Sequence, residues 1–374
     1  MITNTHKSFL WLVRLGIGHT KTTELTNKVD WDALKALADS QGLSAIILDG
    51  IGCLPESMKP PKVELLQWIG EVFQNYEQRY AQYEKAIGSL AGWYNQHGYK
   101  MMVLKGYACS LDWSNPKHRP CGDIDIWQFG KQKEADALLE SLEFRDESLE
   151  SVHEGQKFKK IKIDRSHHHH TVFYLNEFMV ENHYDFVNVH HHKSNAAIEK
   201  VFKELGMDDS FFVMLNNERL YLPSPNLHAL FLLRHAMMEF ASSGLNIRQL
   251  LDWAFFVEKH KKEIDWDWLL NILEEFYMMD FFNCINSICI EDLGFECSIF
   301  PKLQFNPIMK KRVLKEIISP EVPNIKPKQF VCRVIWKYKR WKANEWKHKL
   351  CYKESMWSAF WSGVWSHLLK PSSI

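Results

Sequence analysis

Three pairs of aspartates one residue apart are the residues of this sequence whose types and spacing could support metal chemistry. They are Asp30/Asp32, Asp123/Asp125 and Asp265/Asp267. The first and third pairs each precede an apolar pattern of helical period, where an aspartate can accept hydrogen bonds from the first free amides of a helix. We therefore predict that Asp30 and Asp265 are helix N-caps with a structural role.

The middle pair lies in a different context, the alternating segment GDIDIWQF, which predicts a β-strand. Residues two apart on a strand point to one face, so Asp123 and Asp125 should project together while Ile124 and Ile126 are buried behind them. Two aligned carboxylates are costly unless a cation or solvent neutralises them, and Mg²⁺ (or Mn²⁺) suits carboxylates and substrate phosphates together. Such metal sites serve phosphoryl or nucleotidyl transfer. An exposed alternating strand is the alternative.

A two-metal site usually needs a third carboxylate from a neighbouring strand. The segment MVENHYDF places Glu181 on the same face as His183 and Asp185. We predict Glu181 as the third catalytic and metal-binding carboxylate, with Asp185 as the second choice. For His183, a role as an outer partner of the site and a purely structural role both stay open.

The order of these motifs resembles the nucleotidyltransferase superfamily of polymerase-β type, and more narrowly its bacterial branch of uncharacterised nucleotidyltransferases. The resemblance spans about residues 25–255. It implies Asp123 and Asp125 as metal ligands and Glu181 as the third carboxylate. The segments that carry it are residues 104–106, 116–119, 122–126, 180–183 and 247–253.

The resemblance also implies where the triphosphate binds. Most members of the superfamily carry a small residue after the glycine of the turn that grips the triphosphate, whereas here Tyr107 follows Gly106. Phosphate binding would then depend on Lys105, on the backbone amides of Gly106 and on Arg119, whose planar fork suits phosphate oxygens.

Gly122 and Arg248 complete the predicted nucleotide-binding residues. Gly122 opens the Gly-Asp-Ile-Asp motif, and Arg248 lies in the matching segment IRQLLDW. Arg248 also stands four residues before Asp252 in a predicted helix, so an ordinary surface ion pair is the alternative interpretation.

Histidines cluster at residues 167–170 and 190–192. Four consecutive residues of a strand place only two side chains on each face, which is weak support for a dedicated zinc site. Adventitious binding of nickel or zinc is the simpler interpretation, and a functional metal site is the alternative.

The elements around these motifs predict an α+β protein with a nucleotidyltransferase-like mixed sheet core between helical segments. Strands are predicted within the segments YKMMVLKG, GDIDIWQF, KFKKIKID, HTVFYLN and FMVENHYDFV. The predicted domains are an N-terminal helical segment (1–97), the nucleotidyltransferase core (98–205), a C-terminal helical domain (206–320) and a basic, Trp-rich terminal helix or tail (321–374).

Composition narrows the class of protein only slightly. Basic and acidic residues number 46 each, so the net charge indicates no particular partner. The cysteines form no CxxC pair, which favours reduced thiols over a disulfide framework. The first apolar run is broken by Arg14 and is too short to cross a bilayer. We expect a cytoplasmic protein with no transmembrane segment.

The segment 326–353 is rich in Lys and Arg interleaved with Trp and Tyr. Such a pattern can bind nucleic acid, lie on an anionic membrane or contact a protein partner. The simplest interpretation is an amphipathic helix docked on the protein itself with its lysines in solvent.

Together these observations predict an enzyme, a metal-dependent nucleotidyltransferase that binds ATP or another nucleoside triphosphate. It would transfer the nucleoside monophosphate to a hydroxyl or amine of an unidentified small molecule, protein or RNA. A non-catalytic nucleotide-binding or interaction protein with the same fold is the main alternative. A nucleotidyltransferase toxin that modifies tRNA is another.

Overall fold

The computed structural model describes residues 2–21, 29–141, 161–190, 192–323, 325, 327–358 and 361. The chain divides into two compact units. The helical unit comprises Met1–Glu77, Asp112–Pro120 and Leu232–Met356. The sheet unit comprises Gln78–Leu111, Cys121–Phe231 and Trp357–Ile374. The four-segment division predicted from the sequence stays a prediction.

Fifteen α-helices lie in the described parts of the chain, and α4 continues into α5 through one π-helical stretch, Phe73–Gln78. In chain order they are α1 (Asn4–Gly16), α2 (Trp31–Gln41), α3 (Ser44–Gly52), α4 (Lys62–Val72), α5 (Arg79–Gln96), α6 (Tyr107–Ser110), α7 (Gln132–Ser141), α8 (Lys193–Leu205), α9 (Pro225–Ala241), α10 (Ile247–His260), α11 (Trp266–Glu275), α12 (Met279–Glu291), α13 (Pro307–Ile318), α14 (Phe330–Ala343) and α15 (Glu345–Cys351).

The capping predictions for two of the aspartate pairs are confirmed. The side chain of Asp30 accepts a hydrogen bond of 3.0 Å from the amide of Ala33 at the start of α2. Asp265 does the same for Trp268 at the start of α11, also at 3.0 Å. These carboxylates satisfy helix amides that would otherwise lack partners, so they are accounted for by folding alone.

One mixed sheet of six strands forms the centre of the sheet unit in the described residues. The strand order across the sheet is β3-β4-β2-β1-β6-β5, with β2 parallel to β4 and β1 parallel to β6. The remaining neighbours are antiparallel. The strands are β1 (Met102–Val103), β2 (Ile124–Trp127), β3 (His170–Leu175), β4 (Phe178–His183), β5 (Phe212–Leu215) and β6 (Glu218–Tyr221). The predicted α+β class is confirmed.

Most of the predicted strands are present, with two differences. Four predicted segments correspond to β1, β2, β3 and β4. The strands β3 and β4 form a hairpin through Asn176, whose φ of 55° suits a tight turn. The predicted strand at 157–164 lies partly outside the described residues, and its described part makes only a bridge between Asp164 and Val172. The sheet also extends beyond residue 205, because β5 and β6 belong to it.

The core of the sheet unit explains why apolar and polar residues alternate along β2. Ile124 and Ile126 are fully buried in an apolar cluster. The cluster also contains Val180 of β4 and, from α5, Tyr83 and Ile87. Burial of one face by apolar side chains leaves the polar residues of the same strands on the opposite face. The packing of α5 therefore determines which face carries the carboxylates.

The basic C-terminal segment consists of two helices with different surroundings within the helical unit. In α15 the buried Lys347 forms an ion pair of 2.9 Å with Glu316 of α13. In α14 several apolar side chains are exposed instead, among them Val331, Val334 and Tyr338. Among the described residues, none of the helices combines the length and the hydropathy that crossing a membrane requires.

Candidate active site

The candidate site lies on one face of the parallel strands β2 and β4, within the sheet unit. Their register places Asp125 beside Glu181 and Trp127 beside His183. Since side chains alternate along each strand, Asp125, Glu181 and His183 share the face opposite the Ile124 side of the sheet. The pairing of the second aspartate with Glu181, expected from the sequence, is therefore present in the fold.

These three side chains lie close enough to bind one ion. One ligand atom from each of Asp125, Glu181 and His183 lies within 4.8 Å of the others. The Nε2 atom of His183 is 3.1 Å from Oδ1 of Asp125 and 3.6 Å from Oε2 of Glu181. Lys105, which follows β1, places its Nζ atom 3.0 Å from the same Oδ1 of Asp125. Asp125 is therefore the centre of the charge arrangement.

The charges of this cluster stabilise one another. Burial alone would raise the pKa of Asp125, but the charge of Lys105 and the hydrogen bond from His183 outweigh it and lower that pKa. Burial would lower the pKa of His183, yet its hydrogen bond to Asp125 and the neighbouring carboxylate of Glu181 raise it to about 9. Near neutral pH, His183 is therefore a cation and Asp125 an anion.

Glu181 and Lys105 follow the same logic. Burial favours the neutral carboxyl of Glu181, but the combined electrostatic effects of His183 and His170 outweigh it, so the pKa of Glu181 is lowered. Burial likewise favours neutral Lys105, but the charges of Asp125, Asp123 and Glu181 raise its pKa. Both groups are charged at neutral pH, which gives the site two carboxylates facing two cations.

Asp123 lies immediately before β2 and is half-buried. Burial and then the charge of Asp125 raise the pKa of its carboxyl, while Lys105 opposes them. Its backbone carbonyl accepts a hydrogen bond of 2.8 Å from the hydroxyl of Tyr83. That bond holds the chain at the start of β2, so Asp123 is a third carboxylate within electrostatic reach of the cluster.

The turn between Lys105 and α6 requires a glycine. Gly106 has a φ of 62°, and a Cβ atom there would lie 2.4 Å from the hydroxyl oxygen of Tyr83. The next residue, Tyr107, is buried, and its hydroxyl donates a hydrogen bond of 2.9 Å to Glu84. The unusual tyrosine of this turn thus belongs to the core of the sheet unit.

Of the other predicted nucleotide-binding residues, Gly122 is exposed and directly precedes Asp123. Arg119 lies in the helical unit, where it is buried and binds Asp252 with two nitrogens at 2.8 and 3.0 Å. Asp252 also accepts a hydrogen bond of 2.9 Å from Trp113. Arg248 lies in the first turn of α10, and the expected alternative partner, Asp252, is bound by Arg119.

A divalent cation fits the carboxylate cluster. The Oδ2 atom of Asp125 is buried and has no hydrogen-bond partner in the described part of the chain. A buried carboxylate oxygen normally has a partner, and a bound cation would supply one. Oxygen donors from Asp125, Glu181 and Asp123 suit Mg²⁺. Once the ion displaces its proton, the imidazole of His183 adds a nitrogen that Mn²⁺ accepts more readily.

Sequence reasoning did not anticipate two histidines beside this cluster. His170, the first residue of β3, lies opposite His183 in the antiparallel ladder, with Nε2 3.7 Å from Oε1 of Glu181. Burial lowers the pKa of His170 to about 4, so it is neutral where His183 is charged. His169 precedes it, with its ring 5.5 Å from that of His183. The cross-strand pairing of β3 with β4 brings them there.

One comparison with known proteins identifies the family of this chain. A search of curated proteins and a search of solved structures each gave no significant match. A family model described as an uncharacterised nucleotidyltransferase matches residues 27–289, which is most of the chain and includes every predicted site residue. The protein therefore belongs to this family of uncharacterised nucleotidyltransferases.

Proposed function

We propose that the protein is a metal-dependent nucleotidyltransferase. It would transfer a nucleoside monophosphate from a nucleoside triphosphate to a hydroxyl or amine of an acceptor, with pyrophosphate as the leaving group. The observation that carries the proposal is the pairing of Asp125 with Glu181 across parallel strands, together with the buried Oδ2 of Asp125, which has no hydrogen-bond partner among the described residues. Membership of the family supports nucleotidyl transfer as the reaction.

In this proposal Asp123, Asp125 and Glu181 hold Mg²⁺ or Mn²⁺. When bound, the divalent cation neutralises charge on the phosphate oxygens and lowers the pKa of the acceptor hydroxyl. The protein contributes a rigid arrangement, because β2 and β4 are joined by backbone hydrogen bonds and packed from behind by the core of the sheet unit. Rigid carboxylates hold their ligand without reorganising during the reaction.

Lys105 has two roles in the proposed mechanism. In the structure without substrate its ammonium neutralises Asp125 at 3.0 Å. With a cation and a triphosphate present, the same ammonium would be a point charge for phosphate oxygens, as lysines are in other phosphate sites. The other groups predicted to bind the nucleotide stay predictions. They are the backbone amides at Gly106, Gly122 itself, and the side chains of Arg119 and Arg248.

Glu181 is the proposed acceptor of the proton that the acceptor hydroxyl or amine loses. Its lowered pKa keeps the carboxylate deprotonated at neutral pH, so it can receive a proton. His183, 3.6 Å away, holds the Glu181 carboxylate in position on the β4 face. The proton thus moves from the acceptor to a Glu181 oxygen as the new bond to the α-phosphorus forms and the bond to pyrophosphate breaks.

A binding and transfer experiment tests the proposal. The purified chain is incubated with each α-labelled triphosphate, Mg²⁺ and cell extract, and both the labelled product and the released pyrophosphate are measured. We expect the double variant Asp123→Asn/Asp125→Asn to lose metal-dependent triphosphate binding, measured by calorimetry, and to lose transfer. Asp185→Asn is the matched control, since Asp185 pairs with Lys203 rather than with the cluster.

The outcomes separate the alternatives. Unchanged triphosphate binding in the double variant would contradict the site assignment. Binding by the wild-type chain without transfer to any acceptor would support the non-catalytic alternative. Labelled tRNA together with growth arrest on expression would support the toxin alternative.

A further inference from the structure

Three histidines of the sheet unit form a compact group of nitrogen donors beside the carboxylates. One ring nitrogen from each of His169, His170 and His183 lies within 4.8 Å of the others. The ring centroids are 4.3 Å apart for His169 and His170 and 5.2 Å apart for His170 and His183. Imidazole nitrogens are preferred by borderline transition metals such as Zn²⁺, whereas Mg²⁺ prefers oxygen.

The fold explains how neighbouring histidines can face one ion although alternation along a strand forbids it. The strand begins only at His170, so His169 lies in a bend before β3 and does not follow the alternation. The carbonyl of His169 accepts hydrogen bonds from the amides of Tyr184 and Asp185 at 3.0 and 3.1 Å. These bonds anchor His169 beside the end of β4, where His183 lies.

His170 supplies an independent indication of a ligand. It is more than nine-tenths buried, and neither of its ring nitrogens has a hydrogen-bond partner in the described residues. Its Nε2 atom is 3.7 Å from Oε1 of Glu181, which is beyond hydrogen-bond distance. Buried imidazoles normally have a donor or an acceptor as partner, so this ring is placed as if for a partner that the described part of the chain does not provide.

We propose that His169, His170 and His183 form a site for a borderline transition-metal ion of the Zn²⁺ class, with Glu181 as the fourth ligand. The Oε2 atom of Glu181 is 3.6 Å from Nε2 of His183, and its other oxygen faces His170. Three neutral imidazoles and one carboxylate are a donor set that tetrahedral Zn²⁺ accepts, and the ion displaces the proton of His183, which leaves to solvent. Small rotations of the rings bring donors at these separations to a common ion.

The site has a consequence for catalysis that rests on the proposed function. His183 and Glu181 belong to both donor sets, so an ion held by the histidines withdraws two side chains from the carboxylate cluster. Zn²⁺ at the histidines would then reduce transfer supported by Mg²⁺ at the carboxylates.

The test measures ion binding in the absence of triphosphate, so its result does not depend on whether the protein transfers nucleotides. The full chain, prepared without a histidine tag and treated with chelator, is titrated with Zn²⁺ by calorimetry. Binding of Co²⁺ is followed by visible absorption, which reports tetrahedral coordination by nitrogen. The variants are His170→Ala and His169→Ala, and the matched control is His97→Ala, whose ring binds the carbonyl of Trp93 instead.

We expect the wild-type chain and the His97→Ala control to bind one ion with the same affinity and the same Co²⁺ spectrum. Each of the two cluster variants should bind at least about tenfold more weakly, since even an outer partner of a metal ligand costs that much. His169 is only half-buried, so His169→Ala remains informative if His170→Ala fails to fold. Affinity within twofold of wild type in the folded cluster variants would overturn the proposal. So would the absence of ion binding to the wild-type chain.

Discussion

The pH dependence of stability tests the charge arrangement around Asp125 directly. His183 is buried, but its hydrogen bond to Asp125 and the carboxylate of Glu181 outweigh the effect of burial, so its pKa of about 9 lies above the 6.5 of an unperturbed histidine. A group with a raised folded pKa contributes stability that is fully present below its unfolded pKa and lost as pH rises through the folded value. The relevant window is therefore pH 6.5 to 9.

The magnitude follows from the size of the shift. The difference between about 9 and 6.5, at about 1.4 kcal/mol per pKa unit, gives up to about 3 kcal/mol of unfolding free energy that the protonated His183 contributes. Asp125→Asn removes the carboxylate that raises the pKa of His183 most, and Glu181 retains part of the effect. In the variant the pKa of His183 should fall toward its ordinary value, and most of the pH-dependent contribution should disappear.

The assay is urea denaturation followed by tryptophan fluorescence, in chelator so that no cation replaces the proton. We expect the gap in unfolding free energy between wild type and Asp125→Asn to narrow by up to about 3 kcal/mol between pH 6.5 and 9. Other histidines that titrate in the same window contribute equally to the unfolding free energy of both proteins, so their contribution cancels in the difference. Asp185→Asn is the control and should run parallel to wild type. A gap that stays constant across the window would refute the assigned pairing of His183 with Asp125.

The remaining predictions use single substitutions. Glu181→Gln should retain triphosphate binding and lose transfer by roughly a hundredfold or more, as expected for loss of a general base; normal transfer with an inactive Asp185→Asn would place the third carboxylate at Asp185. Asp30→Ala and Asp265→Ala should each lower the unfolding free energy by about 1 kcal/mol without affecting transfer, and lost activity at normal stability would contradict their capping role. Gly106→Ala should destabilise by about 1–3 kcal/mol or more, because the position has positive φ and no room for a Cβ; a thermal melt equal to wild type would contradict this.

Local periodicity in the sequence was sufficient for some features of the site and not for others. Alternation in GDIDIWQF correctly places Asp125 on the opposite face of the strand from the buried Ile124 and Ile126. It contains no information on which strand lies next to β2, because strand pairing is a contact between residues far apart in the chain. The neighbourhood of Asp125 and Glu181 was expected from the resemblance to a known superfamily, and the register of β2 and β4 now accounts for it.

The histidines beside the site illustrate the same limit. The sequence shows His170 and His183 as members of separate segments, and only the β3–β4 ladder makes them opposite neighbours.

The hairpin of β5 and β6 is absent from the predicted strands, although the sequence holds a local signal for it. Asn216 and Asn217 separate two strand-like runs and both have positive φ, as a two-residue hairpin turn requires.

Asp252 has a buried partner, Arg119, that its spacing from Arg248 does not indicate. The spacing of Arg248 and Asp252 suggested a pair on one helix, since residues four apart are neighbours on a helix surface. In the helical unit, Asp252 instead accepts two bonds from Arg119 and one from Trp113, all buried. Breaking such a pair by removing one partner leaves an uncompensated buried charge, which is why Arg119 has a structural function whether or not it also contacts a nucleotide.

The two helices of the basic terminal segment, α14 and α15, fit different interpretations of its sequence. A docked helix is what α15 provides, because Lys347 is buried against Glu316 and the ring of Trp346 lies 5.7 Å from that of Phe240. The exposed apolar side chains of α14, Val331 and Tyr338 among them, are not explained by docking. In the sequence, the basic and aromatic residues were considered over the whole segment. The different burial of α14 and α15 could therefore not be predicted from them. Nucleic-acid binding by this segment stays a prediction, and it is α14 whose exposed basic and aromatic residues could carry it.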